Sequence, residues 1–134
     1  MQAIDEIDYN AANITNLLAG RTTPLVLRGL VQHWPLVQQA KQSDAAAAAY
    51  LQGFAADVQL QAFFAEPTAK GRFFYNDDLS GFNFQQRQTR LNSVLNSILQ
   101  HGGQTDAPVF YMGSTTAEYC LPGLTTQNAL TLDS

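Results

Sequence analysis

Leu91, Val94, Leu95, Ile98 and Leu99 fall at i, i+3, i+4, i+7 and i+8, so a helix over these residues has one apolar face. That face must be buried against other elements, and every other apolar run in the chain is short. Gly102-Gly103 closes the helix. Pro108-Val109-Phe110-Tyr111-Met112 then reads as a strand running into Gly113 and Ser114. Upstream, Pro24-Leu25-Val26-Leu27-Arg28-Gly29 is bounded by Pro and Gly and reads as a buried strand. Between residues 57 and 64, Val58, Leu60, Ala62 and Phe64 alternate with mostly polar neighbours, as in a strand with one wet face. Arg72-Phe73-Phe74-Tyr75 is a second strand candidate, ended by Asn76-Asp77-Asp78, and the two predict a hairpin.

Further helices are signalled by their ends. Ile14, Leu17 and Leu18 share a face over residues 10–19, and Gly20 is a stop. Pro35 suits the first position of a helix running to Lys41. Ser43 or Asp44 can accept the free N–H groups ahead of an alanine helix over residues 45–51, with Gly53 at its end. Residues 115–134 are weakly patterned around Leu121-Pro122-Gly123-Leu124. Helices in front and strands scattered among them predict an α+β fold and one domain over residues 1–134.

Composition excludes several function classes. The net charge is −4 and no basic cluster exists, which argues against a nucleic-acid surface. Charged residues make up 13%, about half the usual fraction. No apolar run approaches the ~18–20 residues that a bilayer requires, so no membrane partner is expected. The acidic start, Met1 to Glu6, is neither a secretory signal nor a transit peptide. The single Cys120 excludes an internal disulfide framework and fits a reducing compartment. The expected location is the cytoplasm.

Local chemistry is sparse. His33 and His101 are the only histidines, and neither stands in a metal-ligand spacing. Cys120 reads as a small buried residue, since no local pattern pairs it with a histidine. Asp77-Asp78 reads as a solvated turn. The glycines at 102 and 103 follow a helix instead of preceding one, so they are no phosphate loop. The aromatic cluster is more informative. Phe73, Phe74, Tyr75, Phe82 and Phe84 put five rings within twelve residues, interleaved with Asn, Asp and Gly. They predict a packed corner, in which a buried tyrosine hydroxyl needs a partner from protein, water or ligand.

Together these residues resemble a known family. Thr23 to Leu30 with His33-Trp34-Pro35 is similar to the opening of the cupin-like domain related to jumonji-type oxygenases. Gly71 to Asp78 with Gly81-Phe82-Asn83-Phe84, the helix over 89–99, Pro108 to Ser114, and Leu121-Pro122-Gly123-Leu124 follow in the family's order. The resemblance implies a double-stranded β-helix with flanking helices, of which this chain carries the front part. It implies Fe(II), held by a His-x-Asp pair and a distal His, and 2-oxoglutarate as co-substrate. Those ligands follow the Leu-Pro-Gly stretch in the family, and no His follows His101 here. The chain is therefore expected to contribute no catalytic or metal-binding residue. It is also expected to retain neither cofactor by itself and to be inactive alone.

Two residues carry over: Tyr111 to the tyrosine that holds the 2-oxoglutarate carboxylate, and Tyr75 to one near the substrate pocket. Lys41 and Lys70 match no co-substrate lysine. Where asparaginyl hydroxylases of the family place a substrate-facing glutamine, this chain has Gly113, which removes a polar handle. The implied activity is hydroxylation of a protein side chain or a small molecule. The alternative is a non-catalytic, cupin-derived binding or assembly module. An open half-barrel would expose strand edges and apolar faces, so a homo-oligomer is expected.

Overall fold

The computed structural model of the chain describes residues 3–9 and 14–130. Two small sheets and six short helices follow in the order β1 (Asp5–Asp8), α1 (Ile14–Leu18), β2 (Leu25–Arg28), α2 (Pro35–Gln42), α3 (Asp44–Gln52), β3 (Leu60–Ala65), β4 (Gln85–Thr89), α4 (Leu91–His101), β5 (Val109–Met112), α5 (Ala117–Cys120) and α6 (Leu124–Gln127). A single 3₁₀ turn, Pro67–Ala69, follows β3. The mixture is the α+β content that the element order predicts. No helix among the described residues is long and apolar enough to cross a membrane.

β1 and β2 pair in parallel. The acidic sequence of β1 carries no strand signal, and its pairing is supported by charge instead. Arg28 donates Nε and Nη2 to the two Glu6 oxygens, each at 2.8 Å. This fork-to-carboxylate contact holds the Glu6 carboxyl below its ordinary range. Arg21 reaches Asp5 at 2.5 Å. β2 is half-buried, not buried as expected, and among the described residues its one strand partner is β1. The helix predicted over 10–19 is described from Ile14 onward, and residues 10–13 lie outside the described residues.

The second sheet is antiparallel in the order β4-β3-β5. Here the expected hairpin is corrected. β3 runs over residues 60–65, and its partner is Gln85–Thr89, not Arg72–Tyr75. The sequence Gln-Gln-Arg-Gln-Thr has no alternation because β4 is an edge strand with both faces largely wet. Leu60, Ala62 and Phe64 face α4, as their period of two predicts. Leu60, Leu91 and Cys120 form the buried centre, with Leu95 and Met112 packed against it. The apolar stripe of α4 is covered at Leu91 and Val94, whereas Ile98 is 46% exposed.

α2 and α3 begin as their sequences predict: Pro35 opens one, and Ser43 Oγ accepts from Ala46 N–H at 3.0 Å to cap the other. The segment after α6 is tied to this pair by Asn128, which is only 7% exposed. Its Oδ1 accepts from Leu36 N–H at 3.0 Å, a first-turn donor of α2 with no helical partner. Its Nδ2 donates to Tyr50 Oη at 3.1 Å and to Leu124 O at 3.0 Å. Removing this amide leaves the half-buried Leu36 N–H without its acceptor, whereas Leu124 O keeps the Asn128 N–H. Asn128→Ala should therefore lower stability by about 2 kcal/mol in urea unfolding, while the exposed Asn92→Ala should change it by less than about 0.5 kcal/mol. Equal effects from the two would contradict this account.

Candidate functional site

Adjacent residues of a strand point to opposite faces, so Phe63 and Phe64 cannot share one. Phe64 faces the helix side, beside its cross-strand partner Phe110. Phe63 is therefore placed on the other face, next to Tyr111, its direct partner on β5. This face points away from α4. It is covered by Phe73 and Phe84, which arrive from the segment between the 3₁₀ turn and β4.

Four rings close a circuit on it. Centroids lie 5.6 Å apart for Phe63 and Phe84, 5.3 Å for Phe84 and Phe73, 6.0 Å for Phe73 and Tyr111, and 5.9 Å for Tyr111 and Phe63. The four line a shallow cavity of about 290 Å³. Its lining is apolar throughout, Tyr111 contributing ring carbons to it. The aromatic contacts continue outward. Phe82 stacks on Phe84 at 4.9 Å, and Tyr75 stacks on Phe82 at 5.2 Å. Tyr111 and Tyr75, the two site residues read from the sequence, thus stand at opposite ends of one aromatic ladder.

The outer part of the ladder is held by asparagines instead of a sheet. Tyr75 and Phe82 form a lone antiparallel bridge. Asn83 Oδ1 accepts from Phe74 N–H, and its Nδ2 donates to Arg72 O, both at 2.9 Å. Asn76 Oδ1 accepts from Gly81 N–H at 3.1 Å, closing the turn from the other side. At the tip, the Ser80 hydroxyl and N–H donate to Asp78 Oδ1 at 2.6 and 3.0 Å. These bonds hold the Asp78 carboxyl below its ordinary range, the hydroxyl contributing most.

The tight corner expected here is more open than its composition suggests. Tyr75 is 50% exposed and Tyr111 52%, so neither phenol is forced to find a protein partner. Among the described residues, neither hydroxyl has one. Tyr50 differs: its hydroxyl donates to Gln127 Oε1 at 2.9 Å and is part of the core scaffold.

Other candidates are structural. Cys120 is 3% exposed and its thiol donates to Thr116 O at 3.3 Å. His101 contacts Ser97 O through Nδ1 at 2.8 Å; a carbonyl only accepts, so Nδ1 carries the proton. His33 lies on an exposed turn. Among the described residues no three His, Cys, Asp or Glu side chains converge to hold a metal ion.

Sequence reasoning missed Phe63, which it assigned to the wet face. The doublet Phe63-Phe64 carried the signal, because one of the two must leave the helix-covered side.

The family model for the cupin-like domain matches residues 11–134. No curated protein and no solved structure matches the chain. If the two asparagines hold the ladder, Asn83→Ala should speed hydrogen exchange at the Phe74 amide about tenfold and shift the Tyr75 ring signals. Unmoved ring signals in the NMR spectrum would count against that role.

Proposed function

The chain belongs to the cupin-like domain family, and on that premise we propose that it forms the N-terminal part of an Fe(II)/2-oxoglutarate-dependent oxygenase domain. The domain hydroxylates a protein side chain or a small molecule. The observation that carries this reading is the aromatic ladder with an unpartnered hydroxyl at each end. At the inner end, Tyr111 Oη would donate to one carboxylate of 2-oxoglutarate, and Phe63, Phe73 and Phe84 would offer the co-substrate an apolar wall. At the outer end, Tyr75 meets the substrate. Iron, when bound, would supply O₂ activation. The part of the residues described is to orient the co-substrate and keep water from one wall of the pocket.

The protein expressed from its natural reading frame should convert 2-oxoglutarate to succinate in the presence of Fe(II) and O₂. Tyr111→Phe should raise KM for 2-oxoglutarate about tenfold with little change in kcat, as for one lost hydrogen bond to a charged group. The 134 residues alone should not turn over. An unchanged KM in Tyr111→Phe, or turnover by the 134 residues alone, overturns the reading.

A second reading, a non-catalytic binding or assembly module, is favoured by the hairpin tip. Phe74, Tyr75, Leu79 and Phe82 are each at least half exposed there, and Leu79 reaches 70%. Leu79 also adopts a left-handed backbone at φ 60°, which costs a leucine about 1 kcal/mol that Asn or Gly would not spend. Folding alone does not explain that choice. Sedimentation velocity should show concentration-dependent self-association that Leu79→Asn with Phe82→Ser abolishes. A wild-type monomer at every concentration removes assembly from this reading.

A further inference from the structure

Gly113 follows the last residue of β5 and lies two positions beyond Tyr111, on the same side of the strand. The Tyr111 ring leans along the strand and covers it. A Cβ built on Gly113 would stand 2.4 Å from Tyr111 Oη, 2.7 Å from Cζ and 3.0 Å from Cε1. A side chain cannot occupy that space while the phenol is there. Gly113 is not in the left-handed region that favours glycine, so its backbone places no demand on residue type. The close approach of Tyr111 is what a Cβ at this position would disturb.

We infer that Gly113 is a positioning residue for the Tyr111 hydroxyl. Its missing side chain is the seat on which the phenol rests, and this fixes where the hydroxyl stands beside the aromatic cavity. The atom that must yield to a Cβ is the tip of a half-exposed side chain, not backbone. Substitution therefore moves the hydroxyl and leaves the fold in place. The seat also selects the ligand. It turns the hydroxyl toward the end of β5, beside the apolar cavity, where it can meet an acceptor such as a carboxylate. A side chain at 113 would swing the phenol away from that position. The carboxylate part of this inference rests on the 2-oxoglutarate reading above, whereas the seat itself does not.

The test uses the protein from its natural reading frame with ring-labelled tyrosine, the Tyr111 signals being assigned by their loss in Tyr111→Phe. The wild type should show a cross-peak between the Tyr111 Hε protons and the Gly113 Hα protons. Gly113→Ala should shift the Tyr111 ring signals without lowering the melting temperature, since alanine suits this backbone. It should raise KM for 2-oxoglutarate about tenfold, as Tyr111→Phe does, and the double variant should be no worse than Tyr111→Phe alone. A missing cross-peak, or ring signals unmoved in Gly113→Ala, overturns the seat. An additive loss in the double variant overturns its action through the hydroxyl. If no variant turns over 2-oxoglutarate, the co-substrate reading falls, and the cross-peak and ring shifts still decide the seat.

Discussion

β3 is the only strand of the second sheet paired on both sides, and the rest of that sheet depends on its alternation. Leu60 and Ala62 are spent on the helix side, where α4 closes the core. Phe63 is spent on the opposite side, where it founds the aromatic cavity. Core and cavity are thus two faces of one six-residue strand. A slip of one residue in its register would send Leu60 to the cavity and Phe63 into the core. The pairing of Phe63 with Tyr111 and of Phe64 with Phe110 excludes that slip, because both aromatic pairs would be lost together.

Elements with their own apolar period were legible in the sequence. α4 follows from its stripe, α3 from Ser43 and the alanines, and β5 from a run bounded by Pro and Gly. What could not be read is held by something other than apolar burial. β1 has an acidic sequence and pairs with β2 beside an exposed arginine–glutamate contact. β4 takes its place because β3 offers a free edge, and its own residues carry no pattern. α5 and α6 are four-residue helices, too short to show periodicity. Asn128 joins residues up to 92 positions apart, a contact that only the finished fold creates.

The candidate site divides along the same line. Family likeness drew attention to Tyr75 and Tyr111, but not to how they are related in space. That relation is made by Phe82 and Phe84, which sit within a segment ordered by two asparagine side chains instead of a ladder. Segments of this kind have no periodic signature, since amide side chains satisfy the backbone locally. The phenylalanine run at 73–74 reads as a strand for that reason, although no ladder forms there.

The buried thiol has a consequence of another kind. Cys120 is the chain's single cysteine, and it sits between Leu60 and Leu91, where the sheet, α4 and the C-terminal helices converge. Only the reactive thiolate attacks a labelling reagent, and a thiol at 3% exposure cannot meet one while these elements stay together. Its modification rate therefore measures how often the core itself comes apart. The molecule carries an internal clock for its own opening, positioned so that fraying of β1 or movement of the aromatic hairpin leaves the reading unchanged.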